Sequence, residues 1–341
     1  SLSSILRKHG HEVVGVLVGK SKSRQIPEFF SEKIDAPIHA FESPNFTTFY
    51  KNKRPIIVLS VVSNFMRLVF FRKSILFVKN KIEEYAPDVV INFYELITGM
   101  TFGIYRLDKK LDVKLICIAH QYILLNPHYK TTPEQDIKYE WLRLLSKVSC
   151  RRASKVLALS FRDMPGCEEC NLVVVPPLLR SEVFEIQPTQ GNYIHGYLLN
   201  VGYFEEILDW HSKNPQIPLR FFWDKEDAED ETIIDDNLIM YRLNDALFLR
   251  SLAGCMAYAT TAGFESICEA LYYRKPTLMI PVHIEQEFNV YDAGLSGAGI
   301  GSKKFDLSKL LDFIPHYCPD EHFREWVHRA EEMFIEEICG K

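Results

Sequence analysis

The residues best suited to chemistry lie between positions 260 and 289, TTAGFESICEALYYRKPTLMIPVHIEQEFN. Residues 256 to 259 are a small apolar run of strand type, residues 260 to 263 a turn ending in Gly263, and a helix is predicted from Phe264. Ile267, Ala270 and Leu271 recur at helical spacing, Arg274 and Lys275 suit the negative end of the helix dipole, and Pro276 forbids its continuation. Residues 277 to 280 read as the next strand and 281 to 289 as its polar exit loop. A strand, glycine turn and helix in this order leave backbone N–H groups and a positive dipole end at the C-terminal edge of a parallel sheet. An anion such as a diphosphate fits there.

Two further groups sit where strands should end. Residues 89 to 93 read as a compact buried strand, and Glu95 falls just beyond it, on the side where doubly wound sheets open their ligand crevice. Glu95 is either a functional carboxylate or a helix N-terminal one favoured by the dipole. The run VKLICIA, residues 113 to 119, delivers His120 and Gln121 to the same edge. His120 can be an acid or base, a ligand contact, or a satisfied structural residue. Cys167 and Cys170 form a lone CxxC; a zinc ribbon needs a second pair, which the chain lacks, so an ordinary loop and no metal site are expected. The acidic run from 224 to 236 contains no Asp-x-Asp triplet and reads as a solvated loop. DAGLSGAGIGS, residues 292 to 302, reads as a helix end and chain reversal, because its glycine order is not that of a dinucleotide fingerprint.

The elements that must position these groups alternate between strand and helix patterns, which makes the fold α/β. Strands are expected at 12–18, 37–41, 155–160, 171–175, 193–201, 219–223 and 238–241, and helices at 133–152, 204–210, 247–253, 307–314 and 320–339. Pro176 and Pro177 stiffen the chain between two stretches of similar alternation and mark a domain boundary. A length of 341 residues, 47% of them hydrophobic, suits about two domains. Leu2, Ile5 and Leu6 mark one helix face ending at Gly10; a helix feeding a parallel strand normally follows another strand, so a first strand and its loop are expected ahead of residue 1.

A formal charge of −5 and a pI near 6.1 supply no general electrostatic reason to bind nucleic acid. Eight dispersed cysteines suit reduced thiols in the cytoplasm. The sequence shows no secretory signal and no uninterrupted apolar span of about 20 residues, so neither export nor a transmembrane helix is expected. Residues 56 to 78 are strongly apolar yet carry Arg67, Arg72 and Lys73, with Lys51, Lys53 and Arg54 ahead of them. They form either a buried helix pair with solvated ends or a basic apolar surface for peripheral contact with the inner face of a membrane, or with a lipid-linked acceptor.

As a set, Gly263, Ser266, Glu269, the strand from Pro276 to Pro281, the Glu285–Gln286 pair and Asn289 resemble the nucleotide-sugar signature of GT-B glycosyltransferases. The likeness is to the inverting branch that holds the UDP-glycosyltransferases and the peptidoglycan-precursor N-acetylglucosaminyltransferase. It implies two Rossmann-like domains facing across a cleft: residues 1–176 on the acceptor side, 177–320 binding the nucleotide sugar, and 321–341 as a helix packing across the domains. It also implies transfer of a sugar from a UDP-sugar, with inversion, without a metal or other cofactor, to an acceptor the sequence does not identify. A nucleotide-sugar epimerase and a non-catalytic sugar-nucleotide-binding protein are the alternatives on the same fold.

The resemblance assigns donor contacts to Thr261, Gly263, Phe264, Glu265, Ser266, Glu269, Glu285, Gln286 and Asn289. Gly263 and Ser266 would serve the diphosphate, Glu269 the ribose hydroxyls, and Glu285 with Gln286 the sugar, while Asn289 braces the loop or caps a following helix. Thr261 stands where the UDP-glycosyltransferases usually have a histidine. Glu265 replaces their phosphate-side asparagine, and because a diphosphate repels a carboxylate, it must turn away or contact a sugar. Retaining relatives carry two glutamates eight positions apart; eight before Glu269 is Thr261, so that signature is absent. The base of the related enzymes sits on the loop after the first strand, and His120 and Glu95 are the substitutes here.

Overall fold

The computed structural model describes residues 2–20, 34–43, 50–51, 54–55, 71–104, 112–199, 201–223, 225 and 228–340. Its contacts divide the chain into two compact units, Ser1–Pro176 with Arg329–Lys341, and Pro177–His328. The polar loop read at 21–24 and residues 56–70 of the apolar basic segment lie outside the described residues.

In the first unit α1 (Leu2–Lys8) precedes β1 (Val16–Lys20) and β2 (Ile38–Glu42), which pair in parallel, and β3 (Tyr50–Lys51) and β4 (Arg54–Pro55) form a short antiparallel pair. Then come α2 (Arg72–Tyr85), β5 (Val89–Asn92), α3 (Leu96–Ile104), β6 (Lys114–Ala119), α4 (Pro133–Ser149), β7 (Lys155–Leu159) and β8 (Leu172–Val175). Strands β5 to β8 form a parallel sheet in sequential order. Their near-continuous apolar runs suit burial on both faces, as parallel strands require; five of the six β6 residues are buried. Helix α4 begins where the sequence says it should, because Thr132 and Gln135 form a reciprocal capping box around Pro133.

The second unit continues with α5 (Ser181–Glu185), β9 (Ile194–Leu198), α6 (Phe204–Lys213), β10 (Leu219–Trp223), β11 (Glu231–Asp235), β12 (Leu238–Arg242), α7 (Asp245–Gly254), β13 (Ala257–Thr260), α8 (Phe264–Tyr272), β14 (Thr277–Met279), α9 (Ile284–Leu295), β15 (Gly299–Gly301), α10 (Leu307–Phe313) and α11 (His322–His328). The final helix, α12 (Ala330–Cys339), belongs to the first unit. The seven strands run in the order β11-β12-β10-β9-β13-β14-β15, parallel except for β11 against β12. From β9 the chain moves outward through β10 to β12, then returns to the other side of β9 as β13. The order reverses between β9 and β13, and a doubly wound sheet opens its crevice at such a switch point.

One core cluster packs Ile194, Phe221, Ala257 and Ala259 with Leu307 and Leu310, and a second packs Phe222, Phe248, Leu252, Tyr258, Ala270 and Tyr273. Central strand β9 needs Gly196, because a Cβ there would come within 2.1 Å of the fully buried Phe221 ring. Four sequence expectations change. The acidic run contributes an exposed edge strand, β11, because Thr232, Ile233 and Ile234 have the branched side chains a pleated edge accepts. Residues 284 to 289 open a helix where a polar exit loop was expected, since nothing in them breaks a helix once His283 has turned the chain. The glycine-rich reversal holds the short strand β15, paired with β14. The single helix read at 320–339 is two, α11 and α12.

Candidate functional site

The C-terminal end of β13 and the start of α8 lie at the switch point. Thr261 donates its N–H to Tyr197 O (3.3 Å), and its hydroxyl accepts the N–H of Leu199 (3.2 Å), tying the ends of β9 and β13 together. Thr261 is buried and its hydroxyl oxygen is engaged by the backbone.

Gly263 stands at the N-cap of α8 with φ −73°, ψ 134° and no side-chain cap. A Cβ there would meet only Ser266 Oγ at 3.7 Å and Thr261 O at 3.9 Å, both ordinary contacts. The fold places no demand for glycine at this position, and its missing side chain leaves room at the positive end of the helix dipole. Phe264, Glu265 and Ser266 form the first turn, with Glu265 exposed and Phe264 and Ser266 half-buried. The Ser266 hydroxyl donates back to Gly263 O at 3.2 Å. Tyr258 lies close to Ser266 and Thr260, and neither the Tyr258 hydroxyl nor Thr260 Oγ1 closes a hydrogen bond. Polar atoms therefore underlie the turn.

One turn beyond Ser266 is Glu269, 5% exposed. It lies on the buried face of the helix, not on its solvated one. Its Oε1 accepts Arg180 Nε at 2.6 Å and its Oε2 accepts Arg180 Nη2 at 3.0 Å. Burial pushes the Glu269 carboxyl above its ordinary range, opposed by the hydrogen bonds and charge of Arg180. Arg180, 89 positions away, was missed by sequence reasoning, and no local pattern could have signalled it.

On α9 the structure revises two expectations. Glu285 is half-buried on the first helical turn, not on a loop. Gln286, expected at the sugar, accepts the N–H of Val282 at 2.7 Å and approaches Thr261 O at 3.5 Å. A buried amide so engaged braces the backbone. Asn289 donates to Ala262 O at 3.0 Å from within α9, which braces the turn, and the structure gives it no capping role.

In the first unit both base candidates are engaged. Glu95 accepts the N–H of Thr98 at 2.8 Å and the hydroxyl of Ser43, and so caps the first turn of α3, the second of its two sequence readings. Burial raises its pKa, with those hydrogen bonds opposing. His120 is 3% exposed and edge-on to Phe161, with Nδ1 3.0 Å from Leu159 O. A carbonyl only accepts, so Nδ1 carries the proton in the neutral ring and Nε2 holds the lone pair.

Cys167 and Cys170 are joined as a disulfide, a departure from the reduced thiols expected of all eight cysteines. Among the described residues no group of three or more His, Cys, Asp or Glu side chains is placed to hold a metal ion, and no helix is long and apolar enough to cross a membrane.

The family model described as Glycosyl transferase family 1 matches residues 4–317. No curated protein matches the chain in a sequence search. Solved structures that it resembles include the glycotransferase of kitacinnamycin, at TM-score 0.64 and 14% identity over 99% of this chain and 95% of that one. Phytolacca americana UGT2, complexed with UDP-2fluoro-glucose and pterostilbene, superposes at TM-score 0.60 and 12% identity over 98% of this chain and 92% of that chain. Acinetobacter baumannii MurG does so at TM-score 0.53 and 14% identity over 100% and 94%. Both of the expected Rossmann-like domains are thus found in the fold these structures share.

Proposed function

Because the chain belongs to glycosyl transferase family 1 and is a glycosyltransferase of GT-B fold, we propose that its second unit binds a UDP-sugar and that the sugar is transferred with inversion, without a metal. The observation that carries this reading is the start of α8: an N-terminus without a side-chain cap, opened by a glycine the fold does not require, with a buried carboxylate in the second turn of the same helix. A departing diphosphate gains negative charge, and the backbone N–H groups and Ser266 stabilise it in place, which is the role a divalent ion would otherwise fill. The similar Phytolacca protein, solved with a UDP-sugar analogue, supports uridine as the base.

Glu269 accepts the ribose hydroxyls. Glu265, exposed at the first turn, faces away from the phosphates, and Glu285 contacts the sugar. His120 is the base, since Leu159 O holds its imidazole in the tautomer with Nε2 free of a proton, the form that takes a proton from an acceptor hydroxyl. Thr261 in place of a second glutamate supports inversion. The basic, apolar residues 51–78 support an acceptor presented at the cytoplasmic face of a membrane.

The test is product analysis. Incubation with UDP-glucose and UDP-N-acetylglucosamine in EDTA, with lipid-linked and small aromatic acceptors, should yield a glycoside of anomeric configuration opposite to the donor. Abolition of transfer by EDTA would remove the metal-free step. An altered sugar in the absence of acceptor would point to epimerisation instead.

A further inference from the structure

Tyr258 and Thr260 stand two positions apart on β13, so their side chains share one face of the sheet, while Ala257 and Ala259 pack into the core on the other. On the shared face the Tyr258 ring packs against His195 and Phe248, and the side chain lies close to Ser266 in the first turn of α8. A phenylalanine would fill the same volume in this cluster. Both Tyr258 and Thr260 are fully buried, and neither hydroxyl closes a hydrogen bond with a described residue. An unpaired buried hydroxyl forfeits its hydration and destabilises the chain, so two of them under one turn call for a functional reason. Ser266, for its part, can change partners. Its hydroxyl donates at 3.2 Å to Gly263 O, a carbonyl that also accepts the N–H of Ile267 at 3.3 Å. Rotation of Ser266 therefore strands no acceptor.

We infer that Tyr258 is a positioning residue for the diphosphate: when Ser266 turns from Gly263 O to donate to a phosphate oxygen, Tyr258 donates to Ser266 Oγ and Thr260 donates to Tyr258, and three hydroxyls align toward the anion. This rests on the reading of the α8 turn as the diphosphate site. No proton changes owner; each O–H keeps its hydrogen and only reorients. Desolvation pushes the Tyr258 phenol above its ordinary range, so it enters the chain as a donor. Hydrogen bonds aligned head to tail polarise one another, each gaining about 10–30% in strength. The gain matters most where charge grows on the last acceptor, as it does on a departing diphosphate. The Tyr258 hydroxyl is thus unpaired in the free protein and paired in the complex, and has effects of opposite sign on stability and on binding.

Tyr258→Phe removes the hydroxyl and nothing else. Urea unfolding of the full chain without ligand and calorimetric titration with UDP, on the wild type, Tyr258→Phe, Ser266→Ala and the double variant, test the inference. Tyr258→Phe should unfold at a urea concentration equal to or above that of the wild type, and bind UDP about three- to tenfold more weakly. In the Ser266→Ala background the same substitution should change UDP affinity by less than about twofold, because the tyrosine acts only through the serine. A Tyr258→Phe variant that binds UDP as the wild type does would overturn the inference. So would one that unfolds more easily or does not fold, since the hydroxyl would then already be paired in the free chain. Equal weakening in both backgrounds would overturn it as well, by showing an effect that bypasses Ser266. Unchanged affinity in Ser266→Ala would remove the serine from the phosphate and the row of hydroxyls with it, leaving UDP binding in place. A wild type that binds no UDP refutes the donor reading itself.

Discussion

Leu199 donates its backbone N–H to the hydroxyl of Thr261 at 3.2 Å, joining the ends of two neighbouring parallel strands at the point where the strand order reverses. The first residue past β13 is therefore part of the crevice wall. Thr261→Val keeps the shape and removes the acceptor, and should cost about 1 kcal/mol. Thr261→Ser should recover most of it. Urea unfolding of the three proteins measures both.

Gly263 and Gly196 should respond oppositely to alanine. At Gly263 the backbone is in an ordinary extended region and a methyl group meets only van der Waals contacts, so Gly263→Ala should melt within a degree or two of wild type and yet bind UDP-sugar weakly. At Gly196 a methyl would strike the Phe221 ring, and the variant should lose about 1–3 kcal/mol or fail to fold. A melt and a donor titration on each protein separate stability from binding.

Gln286→Ala should behave as a structural lesion. It leaves the buried Val282 N–H without its acceptor, a loss of about 1–3 kcal/mol, and weakens donor binding only through the displaced turn. Equal loss of affinity and no loss of stability would restore Gln286 to the sugar.

His195 is fully buried among Phe222, Phe248 and Tyr258, with Nδ1 3.0 Å from Ser251 Oγ. Desolvation, helped by the positive charge of Arg220, pushes it down to about 3. A folded-state pKa below that of the unfolded chain means the unfolded chain binds the extra proton. The contribution is complete above about pH 6.5 and drains away as pH falls toward 3, with a slope approaching about 1.4 kcal/mol per pH unit. His195→Leu should flatten that part of the stability profile, as chemical denaturation at stepped pH would show.

His120→Gln should lower the turnover number about 10²- to 10⁴-fold with the dissociation constant for UDP unchanged. Glu95→Gln, whose carbonyl oxygen still accepts the Thr98 N–H while its amide donates to the Ser43 hydroxyl, should retain most activity. The reverse result would make Glu95 the base.

The sequence by itself determined the central unit of this protein, because its signals are local. A strand must end at a glycine turn, Phe264 must begin a helix, and Pro276 must stop it; those constraints act over a few residues and were legible before any coordinate. The likeness of Gly263, Ser266 and Glu269 to a nucleotide-sugar site is local for the same reason. Local preference misleads where it is weak: residues 284 to 289 carry no breaker and are helix, and a run crowded with acids still pairs as an edge strand because three branched side chains sit within it. Only the tertiary structure decided which polar groups are free to act. Burial set Gln286 and Thr261 against backbone groups, gave Glu95 a helix to cap, and set Arg180 against Glu269 across 89 residues. Such assignments depend on which lone pairs and N–H groups the rest of the fold has already taken, and periodicity along the chain carries no record of that.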